Sequence, residues 1–267
     1  MATEMYAGRL GSFRAASTAS GGTALTTTAQ CLALPDGTQH VIITARNFAT
    51  AVVTKFALNP HLTVVKTVDA GATWIDYSTA AQDGLATTDV VLSSLDTLAN
   101  GDALWLGSHE PFRGAIVDVD AANANASVLA AHYPVGTVMT TLAPTDGTLS
   151  AGAAFAVDGS ITWAVPSNWS QEKLSSLLAT SVAAPPSPAA EMFWVRLTVS
   201  AALDASTTLN SILALNRSTA YAELTNGQTL EGRCVKAAGG VGCIEALTDA
   251  GTANLIVNCM SGNRGFA

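Results

Sequence analysis

Short apolar runs separated by turn residues are the feature that most constrains the fold of this chain. From Thr23 onwards, segments rich in Val, Ile, Leu and Thr end at turn signals such as Pro35-Asp36-Gly37, Asn100-Gly101 and Asp158-Gly159. Strands spaced about 8–12 residues apart with such turns are typical of β-sandwiches and barrels. No amphipathic helical period longer than about 10 residues occurs. The pattern therefore predicts an all-β protein made of antiparallel sheets, with Asp158-Gly159 joining the strands AAFAV and SITWAV.

The stretch from Asp102 to Trp194 carries this pattern most strongly. Its strands hold four of the five tryptophans, namely Trp105, Trp163, Trp169 and Trp194. Because side chains alternate along a strand, the segment FWVRLTVSAAL places two sets of residues on opposite faces: Trp194, Arg196 and Thr198 on one face, and Val195, Leu197 and Val199 on the other. Both faces carry large groups, so we expect this strand to be central in its sheet.

The chain is expected to divide into an arm, a sandwich and two flanks. Residues 1–22 are rich in small and polar types and are predicted to form a flexible N-terminal arm. Residues 70–215 are predicted to form a jelly-roll-like β-sandwich, flanked by β segments at 23–69 and 216–267. Two arrangements of the flanks fit the sequence. They pair into one smaller β unit with the sandwich inserted between them, or they form separate β units in series.

The charge composition argues against a nucleic-acid partner. The chain has 12 Lys and Arg against 20 Asp and Glu, which gives a formal net charge of -8. The basic residues are scattered singly, whereas phosphate binding needs a basic patch. Only 12% of the residues are charged while 49% are hydrophobic. A freely soluble monomer normally carries more charge, so this composition favours a protein with lasting surface contacts.

Targeting signals are not evident in the sequence. Residues 1–17 lack the continuous apolar region of a signal peptide. No run of about 18 apolar residues occurs, so no transmembrane helix and no membrane partner are expected. We expect synthesis in a cytoplasm without export through a secretion signal.

Four cysteines, Cys31, Cys234, Cys243 and Cys259, are spaced too widely for a zinc motif and have no neighbouring histidine. We interpret them as buried free thiols that pack as small hydrophobic groups. A disulfide such as Cys234–Cys243 also fits the sequence, which does not decide between the two.

No arrangement of residues in the sequence points to catalysis, a cofactor or a metal. The four histidines show no metal-ligand spacing, and no serine stands in a nucleophile-elbow motif. An oxygen-rich stretch, Asp118-Val-Asp120 followed by Asn123 and Asn125, resembles a calcium loop in composition but lacks the EF-hand pattern. We interpret it as a polar loop with side-chain-capped turns, and we expect a protein that is not an enzyme.

Several aromatic residues are candidates for interfaces. Trp105, Trp163 and Trp194 lie in strongly apolar strands and are predicted to be core residues. Trp74 and Trp169 are flanked by polar residues, so we expect them to be partly exposed or to lie at an interface. Tyr6 and Phe13 are the aromatic residues with which the predicted arm could anchor on a neighbour.

The order of motifs from Trp74 to Leu203 resembles a β-sandwich module of structural proteins in tailed bacteriophages. The motifs that carry the resemblance are Trp74-Ile75-Asp76-Tyr77, Asp102–Gly107, Glu110-Pro111-Phe112-Arg113-Gly114, Asp146-Gly147-Thr148, Asp158–Trp169 and Phe193–Ala201. They cover roughly half of the chain, in the order of the module. One element departs from it, since Tyr133–Val138 replaces a segment that in the module contains a Tyr-Trp pair.

This resemblance implies a virion component that is made in the host cytoplasm and lies on the outer capsid surface. The expected function is that of a capsid decoration (cement) protein, a homotrimer that binds the major capsid protein and bridges capsomers. The flanking segments would attach it, and the sandwich would face outward. The alternative is an adhesin module of a tail, baseplate or head fibre that binds a host surface glycan.

Overall fold

The computed structural model describes residues 10–14, 22–46, 52–83, 85, 87–93, 95–97, 102–179, 182–185, 190–237 and 239–262. For residues 10–14 and 261–262 it describes the backbone only. Tyr6 and the predicted turn at Asn100-Gly101 lie outside the described residues.

The described residues form 21 strands, one short helix and one 3-10 turn. The strands are β1 (Leu10–Arg14), β2 (Thr23–Leu25), β3 (Gln30–Ala33), β4 (His40–Arg46), β5 (Thr54–Pro60), β6 (Thr63–Val68), β7 (Thr73–Asp76), β8 (Val90–Val91), β9 (Leu104–Ser108), β10 (Phe112–Ala121), β11 (Leu129–Val135), β12 (Val138–Leu142), β13 (Thr145–Asp146), β14 (Gly159–Thr162), β15 (Gln171–Lys173), β16 (Glu191–Val199), β17 (Thr208–Asn216), β18 (Ala222–Leu224), β19 (Thr229–Arg233), β20 (Val241–Thr248) and β21 (Ala253–Gly262). The helix α1 spans Ala80–Asp83, and the 3-10 turn spans Leu174–Ser176.

The predicted all-β class is confirmed. The ladders between these strands are antiparallel, and they build several sheets in a sandwich-like arrangement. The jelly-roll-like connectivity stays a prediction. No helix in the described ranges is long and apolar enough to cross a membrane.

The chain divides into two compact units. The flank unit comprises Met1–Asn59 and Thr219–Ala267, and the inserted unit comprises Pro60–Ser218. In the flank unit, strands from the two ends of the chain pair with each other: β4 with β19 and β21, β5 with β18, and β3 with β20. Of the two arrangements that the sequence left open, the structure therefore has the one in which the flanks share a single unit.

Two predicted boundaries differ from the structure. The 23–69 flank was placed too far along the chain, because β6 pairs with β9 and β7 of the inserted unit. Val64 and Val65 point to opposite faces of β6 and are both buried, which requires neighbours on both faces. The predicted arm was also too long, since residues 10–14 form β1 along the end of β21.

Two sheets form the inserted unit. One has the strand order β13-β14-β10-β17-β8, and the other has the order β12-β11-β16-β9-β6-β7 with β15 beside β16. Their facing sides share one core, to which both sheets contribute residues such as Leu106, Val195, Val117 and Ile212.

The predicted hairpin at Asp158-Gly159 is wrong. β14 pairs with β10 and β13 instead, and the carboxylate of Asp158, just before β14, accepts a hydrogen bond from Val119 N in β10 (2.8 Å).

The second sheet has an outer face, which points away from that core. Part of this face is covered by the segment that begins with β15, residues 171–179 and 182–185, which we call the strap. Its Leu174 and Leu177 pack with Trp105 and Trp194. Two tryptophan N–H groups bind strap carbonyls, Trp194 Nε1 to Glu172 O (2.9 Å) and Trp74 Nε1 to Ala183 O (2.8 Å). The strap is therefore held by both apolar packing and hydrogen bonds.

Candidate functional site

The structure places the predicted interface residues in different environments. Trp74 is half-buried, in agreement with the expected partial exposure. Phe13 lies in β1 opposite Cys259, where the described backbone forms the edge of a sheet. Trp169 was expected to be partly exposed, and this is wrong, because its side chain is only 8% exposed.

Trp169 lies at the centre of an aromatic cluster in the core of the inserted unit. Its ring centroid is 5.3 Å from that of Phe112, 6.2 Å from Tyr133 and 5.6 Å from Phe193. Its indole Nε1 donates to Trp194 O (3.2 Å), which satisfies its polar atom inside the core. Polar sequence neighbours suggested exposure, but the partners that bury Trp169 come from distant strands. As predicted, Trp105, Trp163 and Trp194 are buried.

The outer face of the second sheet holds a row of three polar side chains on neighbouring strands. His132 in β11 lies opposite Arg196 in β16, and Arg196 lies opposite Trp105 in β9. The Arg196 guanidinium carbon is 5.7 Å from the centroid of the Trp105 ring, within the range of a cation–π contact. We call these three residues the Arg196 row.

Each member of the Arg196 row has a buried polar atom without a hydrogen-bond partner among the described residues. These atoms are Arg196 Nε, His132 Nδ1 and Trp105 Nε1. A buried donor that lacks a partner costs about 1–3 kcal/mol, and most buried polar atoms in native proteins are satisfied. Three such atoms in one cross-strand row mark this part of the face as the most prominent candidate site.

The electrostatics of the row are unbalanced. Burial lowers the pKa of Arg196, and burial together with the positive charge of Arg196 lowers the pKa of His132. Neither shift has a contribution from a carboxylate. The ion pairs found among the described residues, Lys55–Glu223 and Lys236–Asp36, belong to the flank unit. At neutral pH the row therefore presents one uncompensated positive charge beside a neutral imidazole.

A second polar cluster lies inside the flank unit. The buried Glu245 carboxylate accepts hydrogen bonds from Tyr221 Oη (2.6 Å) and Asn59 Nδ2 (3.3 Å). The Cys31 thiol lies next to it, 3.5 Å from Asn59 Nδ2. Hydrogen bonding with Cys243 and burial raise the pKa of Cys31, which keeps it a thiol rather than a nucleophilic thiolate. The arrangement suits a structural cluster better than a reactive one.

All four cysteines are free thiols, as we interpreted them. Cys234, Cys243 and Cys259 are buried, whereas Cys31 is half-buried. Burial raises the pKa of Cys234 to about 11. The described ranges contain no group of three or more Cys, His, Asp or Glu side chains placed to hold a metal ion.

The oxygen-rich stretch is a structural loop. The Asn123 side chain is buried, its Nδ2 donates to Asn125 O and Ala154 O, and its Oδ1 accepts from two backbone N–H groups. Asp118 and Asp120 extend from the same face of β10 and accept hydrogen bonds from β17. The oxygen atoms that suggested a cation thus support turns and strands.

Sequence reasoning missed His132, the buried Lys66 and Glu245. Alternation along β11 could have placed His132 on the same face as Ala130, but its neighbour on the next strand depends on a register that the sequence does not give.

Comparison with known proteins gives no relative: no family model, no curated protein and no solved structure matches the chain.

Proposed function

We propose that this protein is a non-enzymatic decoration protein of a tailed-bacteriophage capsid, which binds the outside of the head and stabilises it by bridging capsomers. It would bind the major capsid protein through the flank unit and would act as a homotrimer. The inserted unit would be the displayed part. The support comes from the topology, the composition and the sequence motifs of the module.

The discontinuous flank unit is the observation that carries the proposal. Both ends of the chain contribute strands to it, and the whole inserted unit leaves and returns through Asn59-Pro60 and Ser218-Thr219. A unit closed by long-range pairs such as β4–β21 can hold an insertion by two anchored connections. This is the organisation expected of a base that attaches and a module that is displayed.

Contacts between the motifs that carry the resemblance support the proposal that the inserted unit is one such module. Phe112 packs on Trp163 with ring centroids 5.5 Å apart, and Trp163 Nε1 donates to Phe112 O (2.9 Å). Gly107 lies under the Trp194 ring, where an added Cβ would be 2.5 Å from a ring carbon. Residues of separate motifs therefore contact one another, which explains why such motifs would occur together in one module.

The flank unit offers an edge for attachment. β19 lies at one end of the described strand order β1-β21-β4-β19, and most of its side chains are exposed. Leu230 in β19 is 45% exposed. A strand at the edge of the described sheet with an exposed apolar side chain is suited to pairing with another chain.

The test is binding of the purified protein to phage heads that lack it. We expect saturable co-sedimentation with the heads and a higher temperature of DNA release. Leu230→Glu should reduce binding at least about tenfold, because a charge would have to be buried at the contact. Val157→Glu is the matched control, since Val157 is 41% exposed but belongs to the inserted unit.

Two results would contradict the proposal. One is failure of the wild-type protein to bind such heads at any concentration. The other is loss of binding in Val157→Glu with full binding in Leu230→Glu, which would move the attachment surface to the inserted unit.

A further inference from the structure

We propose that the Arg196 row on the outer face of the inserted unit binds the carboxylate of an acidic sugar. This site is separate from capsid attachment and does not depend on it. It is formed by Trp105, Arg196 and His132, which adjoin one another on three neighbouring strands. The exposed Thr141 lies opposite His132 on the next strand and extends the row by one hydroxyl group.

The charge of the row matches a monoanion. Arg196 stays protonated at neutral pH, whereas His132 is neutral there because its pKa lies below the usual value. The edge of a guanidinium presents two parallel N–H groups that pair with the two oxygens of a carboxylate. A phosphate dianion would need a second fixed positive charge, and the row does not supply one.

The remaining polar groups favour a ligand that carries hydroxyls as well as a carboxylate. Neutral imidazole donates at one nitrogen and accepts at the other, so His132 can bind a hydroxyl group in either direction. Thr141 offers both a donor and an acceptor. Arg196 and His132 are only half-buried, so a ligand can reach them from solvent. A hexuronate combines the carboxylate and the hydroxyls that this row can bind.

The burial of the row supports a retained binding site. Trp105 is only 3% exposed and packs with strap residues, so the row rests on a rigid base. Buried polar atoms without partners lower stability, and each one in a native protein calls for an explanation, of which a bound ligand is one. A bound carboxylate would compensate the charge that burial now disfavours.

The experiment is an NMR titration of the labelled full-length protein with sodium glucuronate. The signals observed are the Trp105 indole N–H and the His132 ring. Glucose is the neutral control, and sodium chloride at equal ionic strength is the salt control. We expect saturable shifts of both signals with glucuronate alone and a rise in the pKa of His132, which faces Arg196 and Thr141. Arg196→Gln should weaken binding at least about tenfold, because a charged hydrogen-bond pair is lost.

Two further variants make the outcome decisive. Arg113→Gln removes one positive charge from the other sheet of the same unit and should bind as the wild type does. If Arg196→Gln does not fold, Arg196→Lys keeps the charge but loses the paired N–H groups, and it should bind several-fold more weakly. Absence of saturable shifts, equal shifts with glucose or chloride, or unchanged affinity in the Arg196 variants would overturn the proposal. So would self-association that Arg196→Gln abolishes while glucuronate has no effect, since the row would then be an interface between copies.

Discussion

Replacing Lys66 by Met should stabilise the inserted unit at neutral pH. Lys66 lies in β6 with a side chain that is 1% exposed, and its amine donates a hydrogen bond to Val91 O in β8 of the other sheet. Burial lowers its pKa from 10.5 to about 8, and the charge of Asp102 only partly opposes this. Keeping the buried amine protonated therefore destabilises the folded state at pH 7.

The size of the effect follows from the pKa difference. A fall of about 2.5 in pKa corresponds to about 3 kcal/mol of lost stability while the amine is protonated in both states. Met fills a similar volume but cannot donate to Val91 O, and the lost hydrogen bond costs about 1 kcal/mol. We therefore expect Lys66→Met to raise the free energy of unfolding by about 2 kcal/mol at pH 7.

The same pKa difference gives a pH dependence with a definite sign. Below about pH 8 both states are protonated, and the penalty is complete. Between about pH 8 and 10.5 the folded state loses its proton first, so the unfolded state binds more protons and stability rises with pH. The wild-type protein should therefore gain stability from pH 7 to 9.5, whereas Lys66→Met should not.

Urea unfolding followed by tryptophan fluorescence measures this directly. All five tryptophans lie between residues 60 and 218, so the signal reports the inserted unit alone. The four cysteines lie in the flank unit and do not disturb the measurement as they titrate. Lys173→Met is the matched control: Lys173 is exposed, so its loss should change stability by less than about 0.5 kcal/mol. A wild-type stability that is flat from pH 7 to 9.5, or a Lys66→Met protein that is less stable than the wild type at pH 7, would refute the reasoning.

Three further substitutions test the packing. Gly107→Ala should lower the free energy of unfolding by about 1–3 kcal/mol in the same urea assay, because its Cβ would overlap the Trp194 ring; an unchanged midpoint would contradict this contact. Trp169→Ala should cost about 3–5 kcal/mol, as expected for a core aromatic, and a loss below about 1 kcal/mol would restore the surface interpretation of this residue. Tyr221→Phe removes a hydrogen-bond donor from the buried Glu245 carboxylate and should lower the free energy of unfolding by about 1.5–3 kcal/mol. Circular dichroism measures this change, because the flank unit has no tryptophan. An unchanged free energy of unfolding would count against the buried cluster.

Local alternation predicted the faces of single strands correctly. Trp194 and Val195 do lie on opposite faces of β16, one with the strap and one in the shared core. The parity of a strand is set by neighbouring residues alone, so the sequence contains it. The same holds for the all-β class, which follows from short runs and turns.

Long-range partners explain where prediction from sequence failed. Trp169 is surrounded by Ser, Asn and Gln in the sequence, yet Phe112 and Tyr133 bury it. β6 was assigned to the 23–69 flank, but pairing with β9 places it in the inserted unit. In each case a contact between distant segments decided the environment.

The Arg196 row illustrates the same limit at the candidate site. Alternation placed Arg196 on the face of Trp194, but it could not bring His132 and Trp105 beside it, because their alignment depends on strand register. A one-residue slip would turn each side chain to the other face. The site exists only when three strands from separate parts of the chain meet in one register.

The proposed location of the chain on the outside of a phage head is the central claim, and imaging the particle tests it most directly. The measurement is an electron cryomicroscopy map of the proposed phage particle, with both units fitted as separate bodies. We expect density for the chain in threefold groups on the outside of the head, with the flank unit against the major capsid protein and the inserted unit facing solvent. Density for the chain in the tail or baseplate alone, or its absence from the particle, would contradict the account.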